Sequence, residues 1–118
     1  MSDNYFEIAE QHRRSAAYNS AIQLYNKALA LCKKESDVHC ILDCYLSLGD
    51  TLRAKGDFRK ARTRYAEGLD LATALDDRSS EADAMVGLGL SLRALGDWRE
   101  ALKMINKADM LYRTLSDR

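Results

Sequence analysis

Leu48-Gly49-Asp50-Thr51-Leu52-Arg53-Ala54-Lys55-Gly56-Asp57-Phe58 returns forty residues later as Leu88-Gly89-Leu90-Ser91-Leu92-Arg93-Ala94-Leu95-Gly96-Asp97-Trp98. Laid on residues 79–118, residues 39–78 also match at Asp43/Asp83, Arg59/Arg99, Ala61/Ala101, Leu71/Leu111, Leu75/Leu115, Asp77/Asp117 and Arg78/Arg118. The same offset backwards sets Ala9 on Gly49, Tyr18 on Phe58, Ala21 on Ala61, Tyr25 on Tyr65 and Asp37 on Asp77. Register kept at a fixed period of this size marks a repeat architecture. The expected units are about 1–38, 39–78 and 79–118, forming one domain over residues 1–118.

Each unit reads as two helices. Leu42, Tyr45, Leu48 and Leu52 fall at three- and four-residue steps, one apolar stripe of a helix. Gly56 follows as a left-handed C-terminal cap, a conformation that glycine adopts cheaply. Asp57 is placed to accept from the orphan amides of the next helix. That helix carries Phe58, Ala61, Tyr65, Gly68, Leu71 and Leu75 on one stripe. Asp37 and Asp77 open the following units, and Asp97 with Glu100 has capping-box spacing. Helices are expected near 3–15, 18–35, 37–55, 58–75, 79–95 and 97–115.

Composition agrees with this. Of 118 residues, 47% are hydrophobic and 31% charged, and there is no proline to interrupt a helix. Lys plus Arg equals Asp plus Glu at 18 each, so the basic excess of a nucleic-acid or anionic-membrane binder is missing. No apolar run approaches the ~20 residues of a membrane span, and Met1-Ser2-Asp3-Asn4-Tyr5 lacks signal-peptide character. Cys32, Cys40 and Cys44 are an odd set without framework spacing. Free thiols in a reducing compartment, and so a cytoplasmic location, are the expectation.

Small residues recur where helices must approach: Gly49, Ala61 and Gly68, then Gly89, Ala101 and Ala108. Large ones, Tyr25, Tyr65 and Ile105, fill the space between. This pattern resembles the tetratricopeptide repeat. Leu48-Gly49, Leu52, Ala61, Tyr65 and Gly68 fall at its spacing, as do Leu88-Gly89, Leu92, Ala101, Ile105 and Ala108. Ile8-Ala9, His12, Ala21, Tyr25 and Ala28 make a weaker first copy. The usual period is ~34 residues. The longer one here is similar to the repeats of the rapsyn, LGN/Pins and bacterial Rap families. The Asn that LGN-type repeats carry after Leu-Gly is replaced by Asp50 and Leu90. The resemblance implies an all-α, right-handed α-solenoid of three helix-turn-helix repeats, six antiparallel helices, in which the first helix of each pair lines a concave groove.

By that resemblance the groove is lined by Asp3, Phe6, Glu7, Glu10 and Arg13, by Asp43, Leu46, Ser47, Asp50 and Arg53, and by Asp83, Val86, Gly87, Leu90 and Arg93. An aspartate, an apolar residue and an arginine thus recur in each unit. The arginines could read acidic groups or carbonyls of a bound peptide. Alternatively, Glu10 and Asp50, three residues before Arg13 and Arg53, pair with them on the same helix. Arg93 has Leu90 in that place. The basic run Arg53, Lys55, Arg59, Lys60, Arg62, Arg64 reads as solvated surface, balanced by Asp70, Asp76 and Asp77.

No catalytic chemistry is expected. Cys40 and Cys44 could share a helix face, but a closed zinc site needs four ligands, so the cysteines read as small buried hydrophobes and no metal or cofactor is anticipated. Gly87-Leu88-Gly89 has no preceding strand and no third glycine, so it is no nucleotide loop. His12 and His39 are the only imidazoles, and no Ser/His/acid set forms around them. The expected function is a protein–protein interaction module that holds a peptide or partner protein. The alternative is a self-assembly segment or homodimer joined through residues 97–115. There Leu102, Met104 and Met110 stand where the middle unit has Arg62, Arg64 and Asp70, and Leu115 ends the stripe.

Overall fold

The computed structural model describes residues 2–117, with side chains from Asn4 onward. Six helices follow one another: α1 (Ser2–Arg14), α2 (Tyr18–Lys34), α3 (Val38–Lys55), α4 (Phe58–Ala74), α5 (Arg78–Ala94) and α6 (Trp98–Ser116). Helices α2, α4 and α6 start forty residues apart, as do α3 and α5. There is no strand among the described residues, so the fold is an all-α helical repeat. Each helix packs on the next in sequence.

The five junctions are built alike, and only two of them announce it. Gly56 and Gly96 take the left-handed conformation, with φ 95° and 88°. Ala16, Ser36 and Asp76 take it too, with φ 62°, 56° and 54°, although a Cβ makes it costly. At each junction the following residue's N–H reaches back five residues, as in Asp57 N–H to Leu52 O at 2.8 Å and Asp37 N–H to Cys32 O at 2.9 Å. This is the Schellman closure, which satisfies carbonyls the helix end would otherwise orphan. Asp37, Asp57 and Asp77 then cap α3, α4 and α5, accepting from the amides of Cys40, Lys60 and Ser80. Asp97 departs from the expected capping box. It stands at the N-cap of α6 but makes no side-chain cap bond, and Glu100 turns instead to Lys103 at 3.4 Å.

Two apolar clusters form the core. Ala9, Ala21, Tyr25, Ala28, Leu29, Cys32, Cys44 and Leu48 make the first. Leu52, Ala61, Tyr65, Leu88, Leu92 and Ala101 make the second. The ring of Tyr65 is clamped between glycines of two neighbouring units. A Cβ on Gly49 would lie 2.7 Å from its Cε1, and one on Gly87 would lie 2.6 Å from its Cδ1 and nearer still to Cε1 and Cζ. Gly87 is therefore buried contact surface beneath the tyrosine and not groove lining, which corrects the expectation drawn from register alone.

The first helices gather on one side. Besides its neighbours, α3 touches α5, whereas no comparable contact joins α2 to α4 or α4 to α6. Between α2 and α4 lies an open cleft of about 670 Å³, with Ile22, Leu48 and Leu52 among its lining residues. At the far end, Met104 packs against the second cluster and Leu115 is half-buried, so neither is the uncovered side chain that was expected. Leu102 (61%) and Met110 (69%) are exposed, and so is Trp98 (67%). Where α2 and α4 tuck in Leu29 or Leu69 and Cys32 or Ala72, α6 carries the exposed Asp109 and Tyr112. Half of that end is thus polar.

Candidate protein-binding face

Helices α1, α3 and α5 present the residues proposed for the groove, and the structure organises them around tyrosines from the second helices. Tyr25 donates its hydroxyl to Glu10 and accepts from Arg13 Nε at 3.2 Å, while Arg13 also meets Glu10 at 2.9 Å. One unit on, Tyr65 donates to Asp50 and accepts from Arg53 Nε at 3.2 Å, with Asp50 and Arg53 3.9 Å apart. Each clamp is an acid, a phenol and an arginine drawn from two helices. Burial pushes the Tyr25 phenol up to about 12, and its bond to Glu10 adds to this. Burial raises Tyr65 as well, reinforced by the Asp50 charge. Burial alone would raise Glu10, but hydrogen bonds from Tyr25 and Arg13 outweigh it and hold the carboxyl below its usual value.

The third unit lacks the clamp in a concerted way. Leu90 stands for the acid and Ile105 for the phenol, with Ile105 lying against Gly89. Arg93 remains, exposed, and among the described residues it joins no ion pair. Leu90 and Val86, on the same helix, are half-buried.

The other candidates scatter. Phe6 sets its ring edge-on to Tyr25 at 5.4 Å. Leu46 leans on α4, its Cδ2 within 3.0 Å of where a Cβ on Gly68 would be. Asp83 accepts from the Tyr112 hydroxyl. Asp43 is raised by burial, with the charges of Asp77, Asp37 and Glu10 adding and His39 opposing, so the N-terminal edge of this face is acid-rich. Asp3 lies outside the residues whose side chains are described. In the basic run, Lys60 pairs with Asp57 at 3.8 Å and Arg64 with Glu67 at 3.1 Å. Arg64 also lies 6.0 Å from the centre of the Tyr45 ring.

Register along the first helices does not point to Tyr25, Tyr65 or Tyr112, and the small/large pattern explains the first two as space-filling alone. A signal for Tyr25 and Tyr65 exists in the repeat itself. Tyrosine accompanies an acid in units one and two, and isoleucine accompanies leucine in unit three. The cysteines also depart from expectation. Cys32, at the end of α2, and Cys40, at the start of α3, are joined in a disulfide with Cα atoms 5.8 Å apart, leaving Cys44 free and buried. The α2–α3 turn brings them together, and spacing along the chain does not show this.

A helix pair repeated at a fixed forty-residue register, each helix packed on the next, defines a helical repeat protein of the tetratricopeptide type. The tetratricopeptide repeat pattern matches residues 2–74 and again residues 83–114, and the chain belongs to this family. None of the curated proteins compared matches the sequence. Among solved structures, the TPR domain of Arabidopsis FLU superposes with a TM-score of 0.91 at 18% identity, covering 96% of this chain and 95% of that one. BtubC (BKLC) from P. vanneervenii gives 0.92 at 16% identity, over 99% of this chain and 48% of the other. A Rap protein complexed with competence and sporulation factor gives 0.84 at 20%, over 96% and 32%. The chain thus spans about half of the BtubC chain and a third of the Rap chain. At these identities the likeness is one of fold, a fold that generally serves as a non-catalytic scaffold for protein contacts. No helix among the described residues is long and apolar enough to cross a membrane.

Proposed function

We propose that residues 1–118 act as one adaptor domain, in three units of about 1–38, 39–78 and 79–118. The face of α1, α3 and α5 holds a peptide or partner protein, and no catalytic role is assigned. The observation that carries this reading is Arg93. Its two counterparts are held by a carboxylate and a phenol, while Arg93 stands exposed beside Leu90 and Val86. An exposed arginine that forms no ion pair among the described residues, next to an apolar step, suits a ligand with an acidic group flanked by an aliphatic side chain. Arg13 and Arg53 instead stiffen the face, so the ligand is engaged most strongly at the third unit. That a Rap protein, about a third of which shares this fold, is complexed with competence and sporulation factor supports a ligand-binding reading. Co-purification with mass spectrometry would identify the partner. Arg93→Ala should then lose it, while Arg13→Ala should lose stability more than binding. Unchanged capture by Arg93→Ala would refute the assignment.

A second reading, self-association through α6, draws on the exposed Trp98, Leu102 and Met110. The sequence points to Leu102, Met104, Met110 and Leu115 for this contact. Met104 and Leu115 are half-buried within the monomer, so the contact would rest on Leu102 and Trp98, with Met110 to one side. Light scattering at high concentration tests it: a monomer rules it out, and Leu102→Arg should dissolve any dimer. A cytoplasmic location completes the reading. The Cys32–Cys40 bond removes the thiol argument for it, so fractionation of the tagged chain must decide. Binding to nucleic acid or membrane is not part of the proposal, since the formal charge is zero.

A further inference from the structure

The sulfur atoms of Cys32, Cys40 and Cys44 lie within 4.8 Å of one another. Cys40 and Cys44 are one turn apart on α3, hence on one face, and Cys32 meets them from the last turn of α2. Cys32 and Cys44 are fully buried, among Ala9, Ala21, Ala28 and Leu48 of the first core cluster. Cys40 is half-buried at the junction and is the way in. No histidine or carboxylate among the described residues joins the group, and the adjacent His39 is exposed.

We propose that, with the Cys32–Cys40 bond reduced, these three sulfurs form a site for one thiophilic metal ion of low coordination number, Cu(I) being the ion it fits. Three metal–sulfur bonds of ~2.3 Å in a plane set their sulfurs ~4 Å apart; the three sulfurs already lie within 4.8 Å of one another, and on reduction those of Cys32 and Cys40 part from bonding distance to make room for the ion. A closed zinc site takes four protein ligands, and a fourth is missing within an apolar pocket that offers no ready water. Soft thiolates without nitrogen or oxygen partners select Cu(I). Two small-thiol molecules such as glutathione reduce the disulfide and leave as their own disulfide. Each cysteine that then binds as thiolate releases its proton to solvent, and the copper stays monovalent. The ion would pin α2 to α3 across the boundary between the first two units, where the disulfide now does so.

The test is anaerobic titration of the reduced full chain with Cu(I) against bicinchoninate, a coloured competitor. The expected result is one equivalent withdrawn from the competitor, with X-ray absorption showing three sulfur neighbours. Protein with its disulfide intact is the folded control and should withdraw none. Cys44→Ala, its helicity checked by circular dichroism, should bind roughly tenfold or more weakly and with two sulfurs. Equal affinity in Cys44→Ala would overturn the three-sulfur site. So would copper uptake by the disulfide form, no withdrawal at all, or four-coordinate zinc binding preferred over Cu(I).

Discussion

Gly87→Ala should destabilise the protein, although alanine is the better helix former. In an open helix the change would gain about 1 kcal/mol from backbone propensity. Here the new methyl would stand 2.6 Å from Tyr65 Cδ1 and closer to Cε1 and Cζ, inside any tolerable contact. The ring has nowhere to go. The same Cδ1–Cε1–Cζ edge already lies against Gly49, where a Cβ would be only 2.7 Å away, and the ring's hydroxyl is held by Asp50 and Arg53. Overpacking of this kind costs about 1–3 kcal/mol, and moving the ring gives up hydrogen bonds worth about 1 kcal/mol each. A net loss of about 2–4 kcal/mol follows, which for a chain of this size lowers Tm by about 8–16 °C. Thermal and urea melts followed by circular dichroism read it directly. The decisive comparison places Gly87→Ala in a Tyr65→Leu background, where the ring is gone. There the same methyl should be neutral or stabilising by up to about 1 kcal/mol. If Gly87→Ala raises Tm in the unmodified chain, Tyr65 is not clamped and the account of inter-unit packing fails.

Three further outcomes are expected. Ala16→Gly and Ser36→Gly should each raise stability by about 1 kcal/mol in urea melts, because both residues hold φ near 60°; a loss would contradict the junction geometry. Tyr25 and Tyr112 are raised to about 12 and Tyr65 is raised too, so their contribution is intact below the ordinary phenol value near 10 and fades as pH climbs toward 12. Phenolate absorbance should accordingly show a late-titrating group among the six tyrosines, smaller in Tyr65→Phe, and a single transition near 10 would refute it. The acid-rich edge around Asp37, Asp43 and Asp77 should repel a chaperone-type Glu-Glu-Val-Asp tail, and micromolar binding of that peptide by calorimetry would show otherwise.

The six helices and their forty-residue register were legible in the amino-acid sequence, because apolar spacing, Gly56, Gly96 and the capping aspartates act over a few residues of chain. The same locality explains the near agreement of the expected and observed helix ends. What required the tertiary structure involved partners from different helices. Register marked Gly87 as groove lining, yet the Tyr65 ring arriving from α4 made it a packing contact. Asp97 had the spacing of a cap, but Glu100 turned to Lys103. Ala16, Ser36 and Asp76 adopt a strained conformation that their side chains disfavour, since helix packing on both sides imposes the turn. Cys32 and Cys40, eight residues apart, met because a turn reversed the chain between them. The arginine row was visible from Arg13 to Arg93. Only the fold revealed that tyrosines from the second helices occupy two of the three arginines and leave the third exposed, because hydrogen bonds between helices depend on where packing places each side chain.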